Sequence, residues 1–476
     1  MATMIRRGKT EGWLRLPPGA FLPWAALNDA QFYRTAPGNF PGRGGALLAE
    51  HDLDAEKDDS NVLLTVPKDL VLSLERCQEQ ARYDRDYREV LDSLGDFSKL
   101  SEYVGVHTAF SDYIKSLPME ELPTFWTPEE LQLLIGTTLA PAMSSKLKSL
   151  RREYDLLCSS AANTRWYKAV QDYLDFDDWL QVDAMYRSRA LDFPAIGHCM
   201  VPCVDLANHA TGESTLAVYE KDHEGNAVLL LRDGKSVKDS HEITITYGDE
   251  KGACEMLFSY GFLDDSMTSA ESLFLSLNIA DTDSQQTSKM KFADTAPGFK
   301  LIDTRDSEID WTGDFIWLLC LSEDDGLRFE LARTVDGDIE MEAFFHDRRL
   351  TGGAAELYSL LAKDELWELY RLRAITLLQQ RVFDQLQVLF STQDDMEATP
   401  HGDNSEVRDR PYELAMRLRA LEFDLMNQAY ESFEQQKDEL AQHPVVVRYL
   451  EEMNQETSAD SQADPGGTVA EPDDFS

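Results

Sequence analysis

Cysteine is scarce in this chain, and its spacing excludes the common zinc sites. Only six cysteines occur among 476 residues, and no two form a Cys-x-x-Cys pair. Structural zinc sites need such close pairs, with further cysteines or histidines at matching spacing, so the sequence predicts no metal site. Cys199 and Cys203 lie four positions apart without a second pair, which favours a packing role for both. The sparse pattern also indicates a reducing compartment.

Long apolar runs are absent too. No segment approaches the roughly 20 consecutive apolar residues of a transmembrane helix, so the sequence predicts no membrane insertion. The first residues carry Arg6, Arg7 and Lys9 without an apolar stretch beside them, so no secretory signal is expected. The expected location is the cytosol, with the nucleus as the alternative.

Basic residues are few relative to acidic ones. The chain has 45 Lys and Arg against 87 Asp and Glu, a formal net charge of −42 at pH 7. A surface this acidic repels phosphate backbones, which argues against binding of DNA or RNA. It attracts basic partners and also keeps the protein soluble, and net charge alone favours solubility over partner binding.

Hydrophobic residues make up 43% of the chain, enough for two or three domains. Changes in patterning divide it into a β-rich part at 20–75, a helical block at 76–185, a second β-rich part at 186–265, a helical region at 270–454 and a tail at 455–476. The tail contains six acids and no base, which predicts disorder. The predicted fold class is therefore α+β.

Capping and periodicity signals place individual elements. Residues 127–130 predict a helix start, with threonine as N-cap, proline at the first position and two acids in the first turn. The apolar run Ala227–Leu231 predicts a strand. Asp338 is expected to cap a helix through Phe344 and Phe345, and the polar stretch 391–410 is expected to be a mobile loop.

Two segments carry side chains suited to chemistry. Residues 201–209 end an apolar run in Asn208-His209. Residues 242–248 end an alternating strand in Tyr247-Gly248, and Tyr260 lies 13 positions after Tyr247. Polar groups at the ends of apolar strands commonly line small-molecule sites. Each feature has a structural alternative: Asn-His as a buried pair or helix cap, and each tyrosine as a core or interface residue.

The order of these segments resembles the SET-domain methyltransferases, in particular the branch similar to the Rubisco large-subunit lysine methyltransferase. The resemblance covers roughly residues 20–265. Its matching segments are, in order, Gly42-Arg43-Gly44, 62–68, 187–189, 205–209, 243–248 and 260–262. It implies a β-rich SET fold with a pseudoknot, split by the helical insert, and a C-terminal helical substrate-binding domain.

The resemblance also implies S-adenosylmethionine as cofactor and assigns residues to it. Backbone atoms of Gly42-Arg43-Gly44 would border its adenosine part, and Arg189 would pair with its carboxylate. Asn208 and His209 would hold its amino group and adenine, largely through backbone atoms. Tyr260 would pack on it.

Three further residues would face the acceptor. Tyr247 would be the active-site tyrosine beside the transferred methyl, Asp205 would lie on the substrate side, and Tyr219 is a candidate wall of the substrate channel. Many SET enzymes close the site with a cysteine-rich zinc segment, which this sequence lacks, so the resemblance implies that the helical domain takes that place. Pro41 stands where relatives often have a polar residue.

The function that the resemblance implies is protein-lysine N-methylation, with no metal. The acidic character favours a basic protein substrate, such as a ribosomal or translation protein. Two alternatives stay open: a histidine acceptor on the same fold, and a non-catalytic binding module derived from a SET domain.

Overall fold

The structure is a computed structural model that describes residues 16, 18–41, 43–94, 110–119, 121–194, 196–293, 295–304, 309–333 and 339–460. The chain divides into two compact units. The first takes its described residues from Met1–Leu134, Leu139–Asp265 and Pro400–Ala415, and the second from Ile135–Thr138, Ser266–Thr399 and Met416–Ser476.

Short strands build the first unit. In chain order they are β1 (Gln31–Phe32), β2 (Thr35–Phe40), β3 (Gly44–Ala49), β4 (Leu53–Asp54), β5 (Val62–Val66), β6 (Leu191–Phe193), β7 (Gly197–Cys199), β8 (Asn208–His209), β9 (Ala217–Lys221), β10 (Ala227–Leu231), β11 (Ser236–Val237) and β12 (Thr244–Ile245). They form a four-stranded sheet in the order β1-β5-β10-β9 and the pairs β2-β3, β4-β11, β6-β7 and β8-β12.

The burial of the central strand β10 shows that this sheet belongs to the core. It pairs with β5 on one side and with β9 on the other, both antiparallel. Four of its five residues are buried, so its continuous apolar run has no solvent face that would require alternation. The predicted strand is confirmed.

The helices of the first unit lie mostly between β5 and β6, with one before β1 and one after β12. They are α1 (Phe21–Leu27), α2 (Leu74–Tyr83), α3 (Arg85–Leu94), α4 (Phe110–Ser116), α5 (Pro128–Gln132), α6 (Leu139–Ala161), α7 (Tyr167–Tyr173), α8 (Phe176–Arg189) and α9 (Ala253–Tyr260). The helix start predicted at 127–130 is confirmed by a complete capping box between Thr127 and Glu130. A second box, between Asp175 and Asp178, begins α8.

The second unit combines two small sheets with long helices. Its strands are β13 (Ser272–Ser276), β14 (Gly298–Asp303), β15 (Ile309–Thr312), β16 (Leu327–Arg333), β17 (Ile339–Phe345) and β18 (Arg348–Leu350), in the orders β13-β14-β15 and β16-β17-β18. Its helices are α10 (Gln286–Phe292), α11 (Phe315–Leu319), α12 (Gly353–Leu361), α13 (Trp367–Ser391), α14 (Gln393–Glu397), α15 (Asp409–Ala441, which begins in the first unit) and α16 (Pro444–Asp460).

Two local predictions for the C-terminal half were wrong, and the disordered tail at 455–476 stays a prediction. Phe344 and Phe345 lie in β17, which pairs along its length with β16. The stretch 391–410 contains α14 and a hydrogen-bonded turn in which the Gly402 amide donates to the Val407 carbonyl. The last helix runs to Asp460 because 444–460 has no glycine or proline after its first residue, whereas 461–476 lie outside the described residues.

None of the helices within the described ranges combines the length and hydropathy needed to cross a membrane. In the same part of the chain, no group of three or more His, Cys, Asp or Glu side chains could hold a metal ion.

Candidate functional site

The two segments that the sequence singled out lie side by side. Strand β8 pairs with β12 in parallel, so that Asn208 is opposite Thr244 and His209 opposite Ile245. Just beyond the pair, the Tyr247 amide donates to Nδ1 of His209 at 3.0 Å. This contact fixes the direction in which the chain leaves β12, and with it the position of the Tyr247 ring.

His209 is a buried, neutral histidine. Its side chain is 4% exposed, and burial is the main cause that lowers its pKa. Because Nδ1 accepts a hydrogen bond from the Tyr247 amide, the ring proton belongs on Nε2. The imidazole therefore serves as an acceptor that ties the two segments together.

An aromatic cluster surrounds this histidine. The ring centroids of Tyr247 and Tyr260 are 4.6 Å apart, and those of His209 and Tyr247 are 5.2 Å apart. Phe262 completes the cluster at 6.3 Å from both His209 and Tyr260. The sequence analysis included Phe262 in a matching segment but gave it no role.

The chain enters the cluster through a helix end. Helix α9 ends at Tyr260, and Gly261 follows in the left-handed conformation with φ 75°. A Cβ at Gly261 would lie 3.1 Å from both the Glu121 carbonyl oxygen and Leu122 Cδ2. Glycine is therefore required here for both its conformation and its size.

Hydrogen bonds orient the two tyrosines. The Tyr247 hydroxyl donates to the Ala207 carbonyl at 3.0 Å. The Tyr260 hydroxyl lies 3.5 Å from the Tyr247 carbonyl, and burial raises the pKa of Tyr260 to about 12. Tyr260 stays protonated at neutral pH, which makes it a wall rather than a base.

Arg189 belongs to a buried polar cluster. At the end of α8, its guanidinium lies 3.2 Å from Asp205 Oδ2 and donates to the Asp205 carbonyl at 3.1 Å. The hydroxyl of Tyr113, in α4 of the helical insert, donates to the same carboxylate oxygen at 2.7 Å. Tyr113 had no signal in the sequence, since 92 residues separate it from Asp205.

Asp205 lies inside this cluster, and its place on the substrate side stays a prediction. Its side chain is 0% exposed, and burial is the main cause that raises its pKa. Its carboxylate is enclosed between Arg189 and Tyr113. The geometry favours a supporting role, in which Asp205 holds the guanidinium of Arg189 at the end of α8.

The glycine-rich turn contacts the Asn-His segment. Arg43 donates to the His209 carbonyl at 2.8 Å. Gly44 has φ +74°, and a Cβ there would meet nothing within 4 Å, so the turn is open on that side. Asn208 Nδ2 donates to the Gly45 carbonyl at 3.2 Å. Gly42 lies outside the described residues.

Tyr219 has no ring contact with the aromatic cluster among those seen in the described residues, but it lies near enough to Tyr260 to help raise the pKa of that residue. It lies on β9 and stacks on Phe193 of β6, with ring centroids 5.4 Å apart and planes at 24°. Burial is the main cause that raises its pKa. Its role as a channel wall stays a prediction.

The chain is similar to known SET-domain proteins, although no family model matches it. Among curated proteins, it is 28% identical over 237 residues to SET domain-containing protein 8 of Schizosaccharomyces pombe, covering 48% of this chain and 53% of that protein. It is 27% identical over 196 residues to the Rubisco large-subunit N-methyltransferase of Pisum sativum, covering 37% of each. It is 22% identical over 275 residues to the N-lysine methyltransferase setd6 of Xenopus tropicalis, covering 52% of this chain and 58% of that one.

These matches span about half, or less, of the curated relatives, whereas solved structures match over nearly the whole chain. The Rubisco methyltransferase bound to AdoMet has a TM-score of 0.64 at 20% identity, covering 95% of this chain and 98% of that one. Its SET domain bound to methyllysine and AdoHcy has a TM-score of 0.64 at 21% identity, covering 90% and 94%. The chain therefore has the SET fold of the Rubisco-methyltransferase type, which confirms the predicted fold class.

Proposed function

We propose that this protein is an S-adenosylmethionine-dependent protein-lysine N-methyltransferase. The observation that carries the proposal is the convergence, in one unit, of Arg189, the pair Asn208-His209 and the tyrosines 247 and 260. The likeness to structures bound to AdoMet, and to methyllysine with AdoHcy, supports it. So does the name of the Xenopus relative, an N-lysine methyltransferase.

The residues present suit each part of this cofactor. Arg189 offers a cation to its carboxylate, and the carbonyl oxygen of the Asn208 amide offers an acceptor to its ammonium. The open backbone at Gly44 leaves space for a ligand to approach. The rings of Tyr260 and Phe262 offer apolar faces to a flat base. The cofactor supplies an electrophilic methyl group on a sulfonium.

Tyr247 is suited to orient the acceptor amine. Because the hydroxyl donates its proton to the Ala207 carbonyl, its oxygen is oriented as an acceptor and can accept an N–H of the incoming amine. Holding an amine in line for a displacement is mainly a matter of position, and positioning can contribute several kcal/mol, up to about 7–11 in the best cases.

The acceptor lysine must lose a proton before it reacts. A free lysine has a pKa of about 10.4, and both desolvation and a neighbouring positive charge lower it. The aromatic rings around Tyr247 also suit an amine that becomes a methylated cation. No strong general base is therefore needed. This agrees with the lowered pKa of His209, which makes it a weak base, and with the raised pKa of Tyr260, which keeps it protonated.

Two linked measurements test the proposal. S-adenosylmethionine or S-adenosylhomocysteine should raise the unfolding temperature of the purified protein, by an amount that grows with ligand concentration. A lysate incubated with isotopically labelled cofactor, with and without the protein, should then contain methyl-lysine at a protein site that mass spectrometry identifies.

Each of the other possible outcomes overturns a defined part of the proposal. Methyl-histidine would replace the lysine assignment with the histidine alternative. Cofactor binding without transfer to any protein would favour a non-catalytic binding module. The absence of any cofactor-induced shift would overturn the proposal itself.

A further inference from the structure

Glu242 is a buried carboxylate beside the candidate cofactor site, with no role assigned from the sequence. It is 7% exposed and precedes β12. Its backbone bridges Leu48 of β3, and the next amide, of Ile243, donates to the Leu47 carbonyl at 2.8 Å. The backbone of this residue is therefore held against the strand that follows the glycine-rich turn.

The side chain of Glu242 binds two residues of the site at once. Its Oε1 accepts from Asn208 Nδ2 at 2.6 Å. Its Oε2 pairs with the Arg43 guanidinium at 3.4 Å, and the same guanidinium nitrogen donates to the His209 carbonyl at 2.8 Å. A buried carboxylate needs such compensation. Arg43 therefore offsets the negative charge of Glu242, whose other oxygen binds Asn208.

This arrangement determines which way the Asn208 amide faces. Both of its N–H groups are used, one by Glu242 and one by the Gly45 carbonyl at 3.2 Å. An ionised carboxylate only accepts hydrogen bonds, so the opposite orientation would bring the Asn208 oxygen against a carboxylate oxygen. The amide is therefore held with its carbonyl oxygen turned away from Glu242.

We propose that Glu242 is a positioning residue that fixes the Asn208 amide so that its carbonyl oxygen accepts from the α-ammonium of S-adenosylmethionine. This inference rests on the proposed function and adds to it the residue that sets the polarity of the amino-group subsite. Arg43 contributes by neutralising the second carboxylate oxygen.

Measuring the affinity for two ligands distinguishes the positioning role of Glu242 from general support of the fold. The first is S-adenosylhomocysteine, and the second is its analogue that lacks only the α-amino group. Calorimetric titration of Glu242→Met should show about 10-fold weaker binding of the first ligand, because a hydrogen bond to a charged group is lost, and unchanged binding of the second. The control Glu220→Met, at an exposed position of β9, should change neither.

Exchanging the donor and acceptor roles of residues 208 and 242 tests the orientation of the Asn208 amide directly. Asn208→Asp alone sets two carboxylates against each other and should lose at least 10-fold in affinity for S-adenosylhomocysteine. The double variant Asn208→Asp/Glu242→Gln restores one donor and one acceptor between the two side chains with the roles exchanged, although not the contact with the Gly45 carbonyl, and it should bind more tightly than Asn208→Asp alone.

The outcomes distinguish the two levels of the proposal. If the wild type does not bind S-adenosylhomocysteine, the proposed function fails. If the wild type binds and prefers it to the analogue, but Glu242→Met weakens both ligands equally or neither, only the positioning role is overturned. A double variant no better than Asn208→Asp alone would likewise overturn it, and unfolding temperatures of all variants show whether the fold is retained.

Discussion

At the scale of single residues, Tyr247 has the most specific geometry in the site. Its amide is bound by His209 and its hydroxyl by the Ala207 carbonyl, so the ring is held at both ends. In Tyr247→Phe the ring and the amide contact remain, whereas the oxygen that would orient the amine is lost. We expect kcat to fall at least 10-fold while the dissociation constant for S-adenosylhomocysteine changes little.

Steady-state kinetics and calorimetry on the same preparation check this prediction. The matched control is Tyr83→Phe, since Tyr83 is 89% exposed and should keep full activity. Unchanged turnover in Tyr247→Phe would remove the hydroxyl from the reaction.

Arg189 and Asp205 should behave as a pair in stability but not in binding. Replacing Arg189 by Met leaves the buried Asp205 carboxylate without its cation, which should cost about 3 kcal/mol of unfolding free energy and weaken cofactor binding at least 10-fold. Adding Asp205→Asn removes the buried charge, so the double variant should recover most of the stability and none of the affinity.

Urea unfolding and calorimetric titration separate the two effects. A double variant that binds the cofactor as well as the wild type would mean that Arg189 does not touch it, and that the cluster with Tyr113 is purely structural.

The candidate site residues named from the sequence sit in short motifs, whereas the residues that support them were not named. Asn208, Tyr247 and Tyr260 stand where strands or a helix end, which is a local signal. Tyr113 acts on a partner 92 residues away, and nothing in its own neighbourhood marks it. Glu242 lies in a segment that was singled out, but its partner is 34 residues away, so its role had no local signal. Their roles depend on tertiary pairing, which no local pattern encodes.

At the scale of elements, the end of α9 determines where Tyr260 and Phe262 lie. Gly261→Ala must place a Cβ in the left-handed region and 3.1 Å from the Glu121 carbonyl oxygen. The control Gly234→Ala meets the same conformational cost at φ +73° but no atom within 4 Å. We expect about 1 kcal/mol of destabilisation in the control and a larger loss in Gly261→Ala.

Gly261→Ala should also weaken cofactor binding, because the contact with Glu121 must push the helix end and its two aromatic rings aside. Thermal unfolding and titration with S-adenosylhomocysteine measure both effects. Equal stability losses in the two variants would mean that Gly261 is needed for its conformation alone.

Helix α15 carries a buried acid that should make stability depend on pH. Glu422 is 0% exposed, its Oε2 accepts from the Thr138 amide at 2.8 Å, and burial, opposed by Thr138 and Arg419, raises its pKa to about 7. Between its ordinary pKa of 4.5 and about 7, the folded state keeps a proton that the unfolded state releases. Stability should therefore fall as pH rises through this window, by about 3 kcal/mol, and not further above it.

The variant Glu422→Gln should lose this part of the pH dependence. Its unfolding free energy relative to the wild type should be higher at pH 8 than at pH 5, and denaturant titration at both values measures the difference. Glu431→Gln, at an exposed position of the same helix, is the control and should follow the wild type. Parallel pH profiles for wild type and Glu422→Gln would contradict a protonated Glu422.

Elements were predictable where one local signal dominates. The capping box at Thr127 and the apolar strand β10 were found for this reason. Strand β17 was mistaken for a helix because Asp338 resembles an N-cap, whereas pairing of Ile339–Phe345 with β16 decides its conformation. Tertiary hydrogen bonding overrode the local signal in that case.

At the scale of the whole molecule, the net charge of −42 should affect the protein substrate more than the cofactor. Long-range attraction speeds the encounter with a basic partner, and salt screens it, with a Debye length of about 10 Å at 0.1 M. The cofactor is small, and at the proposed site it would be bound by short contacts inside the first unit, so its affinity should depend weakly on salt.

Labelling of a lysate at two salt concentrations tests this difference. Between about 50 and 300 mM sodium chloride, we expect the initial rate of methyl transfer to protein to fall several-fold, while the dissociation constant of S-adenosylhomocysteine changes less than about 2-fold. The labelled proteins, identified by mass spectrometry, should have high isoelectric points. A transfer rate independent of salt, or labelling of mainly acidic proteins, would separate the charge of the chain from its choice of substrate and leave solubility as the role of the acidic surface.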